Sequence, residues 1–197
     1  MTLQGWFNHR GINPIADLVR ISVITDGLSI RENNLMGIVL QRGKTKREVF
    51  VEGASPGVCQ AYTGMPPGEY DNRKLSKRDA LGETLEIVNG SAGIVSYNVK
   101  KFSRPWLCKL SPGFKTVPIL DVSHVSGAGD AGYYPEPDIL SYQNLCDWYD
   151  GVHFGCSKVS FIALASSLGV LPNDEEPLWQ ARARQLEVIW GCLIDRR

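Results

Sequence analysis

The sequence predicts an α/β fold, a mixed β-sheet with helices packed on it. Three observations predict it. Leu18, Val19, Ile21, Val23 and Ile24 make a dense run of strand-forming residues. Residues 35–51 read as a β-hairpin turning at Gly43-Lys44. Helix, strand, helix and strand patterns then follow, and after a loop two helices close the order, which suits a sheet covered by helices.

Each element has a local reason. Asp26-Gly27 supplies a turn after the first strand. Leu35 to Gln41 is the second strand, and Glu48 to Val51 starts the third. Residues 53–75 are rich in Gly and Pro and read as an ordered loop. Ser76 is a good N-cap with Asp79 three residues on. The helix that follows carries Leu81, Leu85 and Val88 on one face and ends at Gly90. A strand at Ile94 to Tyr97 leads to a short helix beginning near Phe102, with Pro105 in its first turn. "TVPILDVSHV" reads as another apolar strand. Residues 126–157 read as loop, including the glycine-rich "SGAGDAG" at 126–132. Ser157 is expected to cap a helix carrying Val159, Ile162, Ala163 and Leu168, closed by Gly169. A last helix opens near Asp174, with Pro177 in its first turn. It buries Leu178, Ala181, Ile189 and Leu193, and Arg196 and Arg197 suit its C-terminal dipole.

Composition narrows the function classes. The 197 residues suit one domain, 1–197, with 1–17 as an N-terminal extension. Lys plus Arg and Asp plus Glu number 21 each. That balance argues against attachment to nucleic acid by bulk charge, but not against a local basic patch. No apolar run approaches the roughly 18 residues that span a bilayer, so no membrane partner is expected. The N-terminus lacks the layout of a signal peptide, and a cytoplasmic location is expected. The five cysteines are odd in number and scattered, which favours free buried thiols.

Several clusters invite a chemistry and lack its spacing. Cys146, His153 and Cys156 match no standard zinc pattern. Asp121, Ser123 and His124 come without a nucleophile elbow. "SGAGDAG" lacks the Lys-Ser/Thr of a phosphate loop.

Against this frame, "SVITDGL" at 22–28 resembles Asp-x-Glu-Thr-Thr-Gly-Leu, with Gly27 and Leu28 in place. "SYNVKKFSRPWL" resembles Asn-x-x-Phe-Asp, with Asn98 and Phe102 in place. "VPILDVSHV" resembles a strand that carries a non-catalytic Asp, and residues 157–194 resemble a closing pair of helices. Together these resemble the DEDD (DnaQ-like) 3′–5′ exonuclease superfamily, proofreading and RNA-trimming nucleases of ribonuclease-H-like fold. The resemblance implies three antiparallel strands, then parallel strands, with helices on both faces.

Those enzymes hold two divalent ions about 4 Å apart on four carboxylates. Carried over by position, the first motif's acids fall on Ser22 and Ile24, and the second motif's on Ser103. The third falls on Leu186 or Glu187. Glu187 is preferred because Val188 matches the small apolar residue after that Asp. The general-base His falls on Arg182 or Ala181. The resemblance therefore implies a degenerate member, with no catalytic residue, no metal and no cofactor at Ser22, Ile24, Ser103 and Glu187. It would act as a nucleic-acid-binding or scaffolding subunit of a nucleic-acid-processing complex. Asn98, Lys100, Lys101 and Arg104 are then expected to meet single-stranded nucleic acid or a 3′ end. The basic group Arg73, Lys74, Lys77 and Arg78 is a second phosphate candidate, or a solvated face. The acidic, aromatic segment 130–150, with Trp148 and Tyr149, is expected to meet a protein partner. Two alternatives stay open: an active exonuclease using Mg²⁺ or Mn²⁺ on displaced ligands such as Asp26, Asp121 and Glu187, and a pure protein-interaction module.

Overall fold

A computed structural model describes residues 1–55, 64–151, 160–172 and 176–195. Among the described residues six strands form one sheet, in the spatial order β4 (Lys74–Leu75), β3 (Thr45–Val51), β2 (Leu35–Arg42), β1 (Leu18–Thr25), β5 (Gly93–Ser96), β6 (Ile119–Asp121). β1 (Leu18–Thr25), β2 (Leu35–Arg42) and β3 (Thr45–Val51) are antiparallel neighbours, as the hairpin pattern predicts. β5 (Gly93–Ser96) lies parallel to β1, and β6 (Ile119–Asp121) parallel to β5. The two-residue β4 (Lys74–Leu75) adds to β3.

Side chains alternate across the strands, so helices are needed on both faces. Ile21, Ile38, Leu40, Val49, Ile94 and Ile119 pack under α3 (Lys77–Val88) and α4 (Arg104–Leu110). Leu18, Val95 and Leu120 face the other way. They pack against α1 (Leu3–His9), α5 (Val122–Asp130), α6 (Tyr142–Gly151), α7 (Phe161–Ser167) and α8 (Leu178–Asp195). On that same face Ile24, Met36, Val39 and Phe50 meet Tyr70 of α2 (Pro67–Arg73) and Trp179 of α8.

Several expectations need correction. The N-terminal extension is part of the core: Trp6 and Phe7 are fully buried, and Trp6 Nε1 donates to the Ile139 carbonyl at 2.9 Å. The stretch after Met65 is helical, not loop. "LDVSHV" is not a continuing strand. Asp121 ends β6 and caps α5, which takes in residues 126–130 of the glycine-rich segment. Half of the segment read as an acidic loop is α6, where Tyr142, Leu145, Cys146 and Tyr149 recur at helical spacing and are buried. Trp148 packs against the same core. The surface left for a partner there is carried by residues such as Tyr133, Tyr134 and Leu140.

α3 begins at the expected Ser76, whose hydroxyl accepts from Asp79 N at 3.1 Å, and Gly90 follows at φ +75°. Its buried face is Ala80, Thr84 and Ile87, one residue out of phase with the expected one. Ser160 caps α7, and Gly169 at φ +70° follows it. α8 buries Ala181, Ile189 and Leu193 as expected, while Leu178 is 40% exposed. Cys108, Cys146 and Cys192 are free thiols. Cys59, His153, Cys156, Ser157, Val159, Asp174, Arg196 and Arg197 lie outside the described residues.

Candidate functional site

A cavity of about 410 Å³ opens at the carboxyl ends of β1 and β5, under the first turns of α7 and α8. Ligand sites of open α/β sheets lie at that end of the strands.

The wall between β5 and α4 is built around one carboxylate. Asn98 takes left-handed backbone angles, φ 51° and ψ 49°, a conformation Asn tolerates better than most residues. The turn is held from β6. Asp121, 3% exposed, accepts from Asn98 N at 2.9 Å and Val99 N at 2.7 Å. It also accepts from the backbone N and hydroxyl of Ser123 at 3.0 and 2.7 Å, so the same side chain caps α5. The helix leaving Asn98 starts as a wide π turn over Val99–Ser103 before tightening into α4. It thus begins three residues earlier than the pattern around Phe102 predicts.

The structure gathers most of the motif positions. Ser22, Ile24 and Ser103 all line the cavity. Ser103 is 3% exposed, and its hydroxyl donates to the Tyr97 carbonyl at 2.8 Å. The Ser96 hydroxyl lies 2.8 Å from Ser103 Oγ and 2.7 Å from the Ile21 carbonyl. Ser103 is therefore tied into the backbone that forms the wall. Ile24 is 3% exposed and presents only carbon. On α8 the residue at the cavity is Leu186, whereas Glu187 is exposed and outside the lining. The expected position, Glu187, thus lies one residue from the one that lines the cavity, and one residue along a helix turns a side chain by about 100°. Glu187 instead acts on Arg20, a 2% exposed residue on β1 whose Nε and Nη2 have no hydrogen-bond partner among the described residues. Burial lowers the Arg20 pKa, and the Glu187 charge opposes that shift.

Arg182 is the only charged residue among the described residues that line the cavity. Its guanidinium carbon sits 5.2 Å from the centre of the Phe161 ring, and Nη1 makes a long 3.4 Å bond to Gln185 Oε1. Phe161 in turn meets Tyr97 edge-on at 4.7 Å. Burial lowers the Arg182 pKa. Burial first, then the Asp121 charge, pushes the Tyr97 phenol up to about 12, so it is a neutral hydroxyl at physiological pH. Ala181, the other position for the general-base His, is fully buried.

Of the four nucleic-acid candidates only Asn98 reaches the cavity. Lys100 and Lys101 are exposed on the π turn outside it, and Arg104 donates to the Lys115 carbonyl at 2.6 Å. Arg73, in the second basic group, is bound to Glu48 and Glu69 at 2.7 Å each. The displaced-ligand set is not assembled: Asp26 accepts from Asn34 N and Nδ2, Asp121 holds its turn, and Glu187 is exposed, its charge acting on Arg20. Among the described residues no three His, Cys, Asp or Glu side chains stand close enough to share a metal ion. His124 pairs with Asp150 at 2.9 Å rather than completing a hydrolase triad.

No protein-family model and no curated protein matches this sequence. Solved structures do match the fold. A crystal structure of SSB/exonuclease I in complex with the inhibitor CFAM superposes with a TM-score of 0.57 at 13% identity. It covers 91% of this chain and 43% of its own. Exonuclease I from Methylocaldum szegediense gives 0.55 at 14%, covering 91% and 42%. The zinc-bound E. coli exonuclease I–single-stranded DNA complex gives 0.54 at 13%, also covering 91% and 42%. The chain spans less than half the length of these neighbours. Its fold is thus the exonuclease-like, ribonuclease-H-like α/β fold.

Proposed function

We propose that this chain is a catalytically inactive protein of exonuclease-like fold that serves as a nucleic-acid-binding or scaffolding subunit of a nucleic-acid-processing complex. One observation carries the reading. Among the described residues, the lining of the cavity where the fold gathers Ser22, Ile24, Ser103 and Leu186 holds no carboxylate. Two-metal phosphodiester cleavage needs several carboxylate oxygens around its ions, and serine hydroxyls and aliphatic carbon do not replace them. Lys100 and Lys101, exposed beside the Asn98 turn, support the nucleic-acid half, and the apolar cavity wall supports the scaffolding half.

The test has two readouts. Purified protein with Mg²⁺ or Mn²⁺ should leave 5′-labelled single-stranded DNA and RNA intact. Digestion that persists through purification and falls with Glu187→Gln would overturn the inactive reading. In a gel shift at two salt concentrations, wild type should bind single strands weakly, and more weakly at high salt. Lys101→Glu with Arg104→Glu should flatten the log–log salt slope by about 0.7 per lost phosphate contact. If wild type shows no shift at low salt, the nucleic-acid half fails and the scaffolding role stands.

A further inference from the structure

The cavity has a chemistry of its own. A cleft for a nucleic-acid strand meets repeating phosphates and is served by repeated cations or by metal ions. Among the described residues this one offers a single charge, Arg182, among aromatic and aliphatic walls. Leu28, Ile162 and Leu178 at the cavity are 78%, 61% and 40% exposed, surface that gains free energy only if apolar material covers it.

Arg182 is half-buried and has no carboxylate partner among the described residues. A guanidinium taken partly out of water and left without an anion is unfavourable, and a fork of parallel N–H donors suits a carboxylate best. The neighbouring groups add donors, not charge. The Tyr97 hydroxyl keeps its proton, and the indole N–H of Trp179, a 3% exposed lining residue, has no hydrogen-bond partner among the described residues. Phe161 stands edge-on to Tyr97 beside the guanidinium, so a flat ring near Arg182 would meet aromatic carbon. The volume, about 410 Å³, falls within the range of roughly 300–1,000 Å³ typical of small-molecule sites.

We propose that this cavity is a binding site for a small aromatic monocarboxylate, its carboxylate paired with Arg182 and its ring lodged between Tyr97, Phe161 and Trp179. The site takes one negative charge and one flat apolar body. A mononucleotide fits less well, because its dianionic phosphate and polar sugar would face Leu28, Ile162 and Leu178. The inference rests on the inactive reading only in that the cavity is taken to be free of metal ions.

The probe is 2-naphthoate, with 2-naphthamide as its neutral counterpart and thymidine 5′-monophosphate as the nucleotide control. Calorimetry gives the affinities, and ¹⁵N–¹H spectra of the full chain locate the binding. Wild type should bind 2-naphthoate saturably, shifting the amides of Asn98, Phe161 and Arg182, and at least tenfold more tightly than 2-naphthamide. Arg182→Gln should lower naphthoate affinity about tenfold and leave naphthamide affinity unchanged, which also shows that the variant cavity is intact. Three results would overturn the proposal. They are no saturable naphthoate binding, equal affinity for naphthoate and naphthamide in wild type, or tighter binding of thymidine 5′-monophosphate than of naphthoate. None of these readouts involves strand cleavage. Nuclease activity would sink the inactive reading by itself, and absent naphthoate binding would sink only this inference.

Discussion

Replacing Asp121 tests how the cavity wall is held. Its carboxylate accepts from Asn98 N, Val99 N and Ser123 N, and from the Ser123 hydroxyl, while only 3% exposed. Asp121→Ala removes the α5 cap, worth about 1 kcal/mol, and strands two N–H groups in the left-handed turn, at about 1–3 kcal/mol each. The expected loss is about 3–7 kcal/mol. For a domain of this size that lowers Tm by roughly 6–28 °C, at about 2–4 °C per kcal/mol. Asp121→Asn keeps one acceptor oxygen and should lose about half as much. Urea unfolding followed by tryptophan fluorescence measures both. Amide exchange should quicken most between Asn98 and Ser103, where the turn loses its anchor. The loss should be the same with and without Mg²⁺, since the carboxylate is spent on backbone donors. A loss below about 1 kcal/mol, or a loss that appears only with Mg²⁺, would refute the assignment of Asp121 as the support of the turn.

Two further perturbations probe the scaffold. A Cβ at Gly93 would lie 2.1 Å from Tyr142 Cε1, and the Tyr142 hydroxyl is tied to the Ile94 carbonyl at 2.6 Å. Gly93→Ala should therefore cost about 3 kcal/mol in urea unfolding, and much less in a Tyr142→Ala background, because the two substitutions share one contact. Asp150 is held below its ordinary pKa chiefly by its hydrogen bond with His124. A depressed carboxyl contributes stability that is present in full above the unfolded pKa, near about 3.9, and is lost as pH falls through the folded value. His124→Ala should therefore flatten the acid limb of a stability–pH curve below about pH 5, and an unchanged limb would remove the pair from the account.

What was legible in the sequence follows from which physical signal dominates locally. β1 to β3 were readable because β-branched residues crowd at Leu18–Ile24 and the turn at Gly43 has φ +56°, which glycine meets freely. α6 carried a helical signal as well: Tyr142, Leu145, Cys146 and Tyr149 fall at i, i+3, i+4 and i+7. Its acidic and aromatic composition masked that periodicity. α5 could not be read in this way. Gly127 and Gly129 each cost a free helix about 1 kcal/mol, and it is Asp121 and burial of Val122, Val125 and Ala128 that keep the helix formed. α1 is only seven residues long, and its reason to exist is tertiary: Phe7 stands edge-on to Trp190 at 6.2 Å, at the far end of the chain. At the site, the positions of Ser22, Ile24 and Ser103 followed from motif order alone. The α8 position did not, because Val188, used to fix the register, is 36% exposed and carries no packing information. The buried Leu186 does.

The positions at the cavity belong to elements that meet only after folding: Ile24 on β1, Ser103 at the end of the π turn, Leu186 on α8. Three carboxylates brought together there without cations would repel one another, and burial would add to the cost of each charge. One carboxylate alone would gain no divalent ion, because such an ion needs several oxygens at once. Among the described lining residues it would have Arg182 as its only charged neighbour. Ile24→Glu should therefore form an internal pair with Arg182 and close the anion site, without restoring metal chemistry. Glu187 does not change this, since it is exposed outside the lining and its charge acts on the buried Arg20, which has no hydrogen-bonded anion among the described residues. On this geometry the apolar lining and Arg182 form one arrangement: with Arg182 the one charge among the described lining residues, the proposed charge preference of the cavity is for an anion.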